Sequence, residues 1–474
     1  MPNKNQKMKT ITLSAAAILC CLFTAVNFVT AQGLNFTANT YPVGSGPVVT
    51  VADVNGDGRL DLITANGNNT NTLTVLTNNG SGGFAFYATL TVGKNPAGVV
   101  AADVNGDGHL DLISINAGNN SVTVLTNNGS GVFGSNSTFN VISSSGDVVA
   151  ADVNGDGYLD LISPSYISAG ILTIYTNNGS GFFGSNATLN VGSYPVCVCA
   201  ADVNGDGHLD LITANLKGSN ANSLTILTNN GSGVFGFNAR ITVGTAPDWV
   251  VAADVNGDGH VDLITANNAI NTLTVLTNNG TGVFGSNATL TVAGIPNWVT
   301  AADLNGDGKL DLISANGGIY GTVPGNGNSL TILTNNGSGS FGSNTTFIVG
   351  IGAVNDLAAD LNTDGKLDLV VANYDDNTVT VLMNNSIFPS PTNSPTLTIK
   401  QQGRNLLVSW PSVSPGWSLQ EKPNLTDPNW LPSGYDGYPT ANVGATYPIA
   451  DDVTNKSLIF PSAAGNLFLR LLHP

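Results

Sequence analysis

Charge is scarce in this chain. Only 9% of its 474 residues are Asp, Glu, Lys or Arg, well under the roughly one quarter of an average soluble domain, and Glu421 is the single glutamate. The 14 Lys and Arg are outnumbered by 31 acidic residues, a formal charge of −17. So few cations argue against nucleic acid or an anionic membrane as partner. No HExxH, GxSxG or Cys/His pairing is present, so an enzyme is not expected. The alternative is a carbohydrate-active enzyme or its accessory subunit, with paired carboxylates drawn from Asp147, Asp248 and Asp356. Long apolar runs are missing too. Ile11 to Val26 is the longest, too short for a comfortable membrane span and preceded by Lys4, Lys7 and Lys9. With Val29-Thr30-Ala31 behind it, this reads as a signal peptide, residues 1–31, and the product as secreted or held at the cell surface. Cysteine is equally sparse. Beyond the leader only Cys197 and Cys199 remain, two apart on one strand face, read as small core residues rather than a disulfide or metal pair.

Repetition is what the chain has in abundance. DVNGDGRLD at 53–61 returns as near-copies at 103–111, 152–160, 202–210, 254–262, 303–311 and 360–368. The spacings between leading Asp residues are 50, 49, 50, 52, 49 and 57. A period of that size marks a repeat architecture.

Chemically, each copy is a set of hard oxygens. Position 1 is Asp53, Asp103, Asp152, Asp202, Asp254, Asp303 or Asp360, and position 3 is Asn55, Asn105, Asn154, Asn204, Asn256, Asn305 or Asn362. Position 5 is Asp57, Asp107, Asp156, Asp206, Asp258, Asp307 or Asp364, and position 9 is Asp61, Asp111, Asp160, Asp210, Asp262, Asp311 or Asp368. Position 7 needs to give only its main-chain carbonyl, so it varies freely: Arg59, His109, Tyr158, His208, His260, Lys309, Lys366. Oxygen donors at this spacing suit Ca²⁺, which accepts 6–8 of them in flexible geometry. Up to seven structural Ca²⁺ are therefore expected. The start resembles an EF-hand loop, but Thr64 stands where its closing Glu would be, and strand-like rather than helical segments flank it.

Each unit holds four apolar, β-branched runs. In the second these are 99–104, 110–115, 121–126 and 133–141; the acidic loop joins the first two and NNGSG joins the last two. Four short antiparallel strands make a propeller blade. The seventh unit lacks its fourth run, and a matching one stands at 34–44, ahead of the first loop. That segment is expected to complete the last blade and close a ring of seven, removing open sheet edges.

DVNGDGxLDL followed by NNGSGxFG resembles the FG-GAP/VCBS repeats of bacterial secreted proteins, which are similar to the blades of integrin α-subunit propellers. The resemblance covers 34–385 and implies an all-β, seven-bladed β-propeller with calcium-binding hairpin loops, the fold of adhesion receptors and lectins. The propeller is placed at 32–385 and a Pro/Ser linker at 386–395. A small β-sandwich of immunoglobulin or fibronectin-III type is expected at 396–474, with Trp410, Trp417 and Trp430.

Function is expected opposite the acidic loops, where the units vary. Trp249 and Trp298 hold equivalent positions in adjacent units, preceded by Asp248 and Asn297, and Tyr320 and Tyr374 sit in longer connections. Aromatic faces beside short polar groups suit a sugar or peptide, although indoles also serve to fill space between blades. The sequence thus reads as a monomeric binding or adhesion module for an extracellular glycan or protein, with a ligand-free scaffold as a further alternative.

Overall fold

The computed structural model describes residues 26–27, 33–143, 146–218, 220–318 and 327–386, together with short strands after residue 397. It is a seven-bladed β-propeller. Blades 1 to 6 are four-stranded antiparallel sheets in simple up-and-down order. Blade 1 runs Pro47–Ala52, Asp61–Asn66, Thr72–Asn78 and Phe84–Thr91 from the inside outwards. Blade 7 takes Ala353–Ala359, Asp368–Asn373 and Thr378–Asn384 from one end of the array and Phe36–Pro42 from the other. Phe36 pairs with Asn384 and Pro42 with Thr378, without a break in register. Phe36 is buried and meets Phe347 of blade 6 edge-on, with ring centroids 5.3 Å apart.

The burial of each strand explains its composition. Second strands such as Asp61–Asn66, DLITAN, are buried at every position because both faces meet a neighbouring blade. Outer strands such as Phe84–Thr91 alternate half-buried and exposed residues, since only one face is covered. The core is accordingly a series of layers between blades. One such layer joins Val54, Ile63, Leu73 and Val75 of blade 1 to Leu112 and Leu125 of blade 2.

Cys197 lies fully buried in one of these layers and Cys199 packs against it; both are free thiols. After residue 397 two further antiparallel sheets are described. One contains Thr398–Gln402, Asn405–Pro411, Asn455–Pro461 and Ala450–Asp451; the other contains Leu431–Pro432, Ser418–Lys422 and Phe468–Leu472. Trp417 and Trp430 fall outside the described residues, as does most of the leader.

Candidate functional site

At one face of the ring, the acidic nonapeptides link the first and second strands. In the first, Asp53 Oδ1 accepts from the Gly56 and Asp57 amides at 2.8 and 3.2 Å, and Oδ2 from Gly58 at 2.7 Å. Asn55 Oδ1 accepts from Asp57 at 2.9 Å and Asp57 Oδ1 from Arg59 at 3.0 Å. Gly58 adopts a φ of 81°, which lets the chain fold back over Asp53.

Position 9 is different in kind. Asp61 opens the second strand and is fully buried; its Oδ1 accepts from the Asn78 amide at 2.9 Å and its Oδ2 from Val54 at 3.3 Å. Burial pushes all seven position-9 carboxyls above their usual range, to about 6 at Asp61 and Asp368 and about 7 at Asp311, with the amide donors pulling partly back.

The donor chemistry suits a hard cation. Among the described residues only two ion pairs occur, Arg59–Asp57 at 3.9 Å and Lys366–Asp364 at 3.7 Å, so five loops carry three carboxyls and no Lys or Arg partner. Yet in the arrangement described no three Asp, Glu, His or Cys side chains converge on one point. The backbone amides hold the carboxylates instead.

The variable side chains of position 7 are exposed in five blades and half-buried at Lys309 and Lys366, but they are not idle. A Cβ on Gly129 would stand 2.4 Å from the His109 ring, and one on Gly179 would stand 2.6 Å from Tyr158. These side chains therefore lie over the glycine of the NNGSG turn of their own blade.

At the opposite face the innermost strands begin, and they surround a cavity of about 770 Å³. All seven blades line it. The structure brings Asp248, Trp249, Asn297, Trp298 and Tyr374 together on its wall; Tyr320 lies outside the described residues. The two indoles stack face to face, centroids 3.2 Å apart and planes 20° from parallel. Both are half-buried: Trp249 also packs on the cores flanking blade 5, and Trp298 on the core beside blade 7. Space-filling and cavity-lining roles thus coexist in the same pair. Asn268 Nδ2 ties the surrounding polar groups, donating to Asn297 Oδ1 at 2.7 Å and to Asp248 Oδ2 at 3.4 Å.

Asp147 lines the cavity as well, and its Oδ2 accepts from the Val198 amide of the next blade at 2.8 Å. Burial raises Asp147 to about 7 and Asp248 to about 6. Asp356 does not reach the cavity. It is fully buried, and neither carboxyl oxygen has a hydrogen-bond partner.

Five stretches, 53–114, 103–163, 166–213, 214–265 and 254–314, match the FG-GAP-like repeat. The chain belongs to the FG-GAP-like repeat family. No curated protein matches its sequence. Among solved structures, the FG-GAP propeller is similar to BBS1N in complex with ARL6DN. In the lead-soaked crystal the identity is 12% and the TM-score 0.52, over 75% of this chain and 97% of that one. In the mercury-soaked crystal they are 12% and 0.53, over 77% and 99%. A Lactobacillus plantarum protein is 15% identical with a TM-score of 0.48, over 70% and 97%. At these identities the likeness concerns the fold.

One set of FG-GAP residues was hidden inside a turn motif. The first Asn of each NNGSG, of NNGTG in blade 5, or of its blade 7 counterpart, ends the third strand and reaches back across the blade boundary. Asn127 Nδ2 donates to the Val54 carbonyl of blade 1 at 2.8 Å and to Leu110 of its own blade at 3.0 Å. Asn78, Asn177, Asn229, Asn278, Asn335 and Asn384 repeat the interblade bond at 2.7–3.0 Å. A buried amide repeated seven times at the end of a strand was the available signal; the NNGSG pattern spoke only of a turn.

Proposed function

We propose that this FG-GAP propeller is a secreted, calcium-stabilised binding module that takes an extracellular ligand at the central cavity. The observation that carries the reading is the placement of Trp249 and Trp298, with Asp248 and Asn297, on the wall of one concave space ringed by all seven blades. Flat apolar surface with a few convergent polar groups is the usual make-up of a ligand site, and 770 Å³ falls within the usual size range. The relative BBS1N is crystallised in complex with ARL6DN, which supports recognition as a use for such a propeller.

Calcium, in this reading, is structural. Positions 1, 3, 5 and 9 of each loop supply side-chain oxygens, position 7 supplies its carbonyl, and the ion neutralises carboxylates that otherwise have few cationic neighbours. The two sheets after residue 397 are the halves of an immunoglobulin or fibronectin-III-like module, and the protein works as a monomer.

A glycan array read with and without Ca²⁺, followed by a turnover assay on any hit, tests the proposal. Retention without turnover is the expected result, and Trp249→Ala and Trp298→Ala should lose it, at some cost in melting temperature because both indoles also pack on the interblade cores. Turnover would make the protein an enzyme; no retention of any glycan or protein ligand would leave a scaffold. The enzyme reading has its own support, because Asp147 and Asp248 line one cavity with raised pKa values.

A further inference from the structure

Seven near-identical units make departures from the repeat easy to find, and several of them gather at one place on the cavity wall. Six residues before the leading Asp stand Pro47, Ala97, Gly146, Val196 and Val354, all small or apolar, but Asp248 in blade 5 and Asn297 in blade 6. The next position is tryptophan in those two blades only, and the indoles of Trp249 and Trp298 stack with centroids 3.2 Å apart. Just past the second strand, where blades 1, 2, 4 and 6 have Gly67, Ala117, Leu216 and Gly317, blade 5 alone has an amide, Asn268. Asp248, Trp249, Asn268, Asn297 and Trp298 all line the cavity.

The three polar side chains form one cluster. Asn268 Nδ2 donates to Asn297 Oδ1 at 2.7 Å and to Asp248 Oδ2 at 3.4 Å, and Asn297 Nδ2 donates to the Gly318 carbonyl at 3.4 Å. The donors are thus directed at acceptors within the protein. What the cluster leaves for a ligand is acceptor, above all the Asp248 carboxyl, whose side-chain donor among the described residues is that one distant amide. Burial raises Asp248 to about 6, and the Asn268 bond pulls only partly back. No Lys, Arg or His is among the described residues lining the cavity, so an acidic ligand would meet a like charge there with no cation to offset it.

A carboxylate has two oxygens side by side and can accept from two donors at once. Beside flat apolar faces, that suits a ring carrying neighbouring hydroxyls at its edge and C–H groups on its face. We propose that this part of the cavity binds a neutral pyranose through two adjacent hydroxyls, which donate together to the Asp248 carboxylate while the ring lies against the Trp249–Trp298 pair. This rests on the binding role proposed above and names its ligand class. Two hydroxyl donors supply the hydrogen bonds that the half-buried carboxylate otherwise lacks.

Titration calorimetry of the full chain with the methyl glycosides of glucose, galactose, mannose and glucosamine tests it, followed by each singly deoxygenated form of the neutral sugar that binds best. At least one neutral sugar is expected to bind. Removing either hydroxyl of one adjacent pair should weaken it about tenfold, and removing any other hydroxyl much less. Asp248→Asn, which keeps the side-chain shape, should weaken the parent sugar about tenfold and abolish its advantage over those two deoxy forms, with melting unchanged or raised. Equal binding of all the deoxy forms overturns the hydroxyl-pair contact but leaves a glycan-binding module standing. Tighter binding of the glucosamine glycoside than of every neutral one overturns it in favour of a cationic ligand. Unchanged affinity in Asp248→Asn overturns the site, and no binding of any of the four sugars overturns the ligand class, leaving the wider array to judge the binding role.

Discussion

Asn78 Nδ2 donates to the carbonyl of Leu361 at 2.8 Å, joining the first blade to the seventh across 283 residues of chain. The same bond runs between every other pair of adjacent blades, so the ring has two closures: the outer strand Phe36–Pro42 and a buried amide girdle. Each girdle Asn is positioned by the position-9 Asp of its own blade, which accepts its main-chain N–H. The acidic motif is thus wired into the blade contacts independently of any ion.

Asn78→Ala should be costly for that reason. It leaves the Leu361 carbonyl without its donor at a buried position, and the Leu60 carbonyl and Gly80 amide without their partners at half-buried ones. A buried group left unsatisfied costs about 1–3 kcal/mol. Thermal unfolding should show a clear fall in melting temperature, whereas Asn79→Ala, in the exposed turn next door, should move it much less.

Calcium removal gives a second test. Binding to the folded state alone contributes about 1.4 kcal/mol per site at tenfold saturation, or about 10 kcal/mol for seven such sites. Chelator should therefore lower the melting temperature steeply. Replacing Asp103, Asp107 and Asp111 together by Asn should reduce the metal content measured by elemental analysis by one ion per chain. An unchanged melting temperature in chelator would remove the structural role of calcium.

The free thiols should be silent in the native state. Cys197 is fully buried, and burial pushes its thiol well above the ordinary value and that of Cys199 to about 12. A thiol-specific reagent at neutral pH should label neither until denaturant is added, and then label both. Rapid labelling of the folded protein would contradict the interblade placement of Cys197.

The fold was legible because the repeat states it seven times. Period, strand pattern and the missing fourth run of the last unit each point to a ring, and local and global signals agree. The cavity was legible in part: Trp249 and Trp298 share a repeat position, so a ring brings them side by side. What one sequence could not convey is which face a polar side chain serves. Asn127 reads as a turn residue but is a buried strut, and the His109 side chain reads as idle but covers Gly129. Asp147, Asp248 and Asp356 read alike, yet two face the cavity and the third is sealed beneath it.

Asp356 yields the sharpest of the stability tests. In the other six units the equivalent position is a valine: Val49, Val99, Val148, Val198, Val250 or Val299. Here a carboxyl occupies the same apolar layer, and the nearby Thr300 hydroxyl donates to its main-chain carbonyl at 3.0 Å. Burial raises it to about 7, from an ordinary value of 3.8. The folded state thus holds a proton that the unfolded chain releases at lower pH, so stability should fall as pH rises from about 4 to about 7 and then level off. Asp356→Val should make that slope shallower, since the other raised carboxyls keep their own contributions, and raise the melting temperature at pH 8, with little effect at pH 4. Asp356→Asn should flatten the slope as well but gain less, because its amide stays buried without partners. Melting curves at pH 4, 6 and 8 for the three proteins would decide it, and a wild type whose stability rises between pH 4 and 7 while Asp356→Val shifts it nowhere would show that this carboxyl is ionised and accommodated.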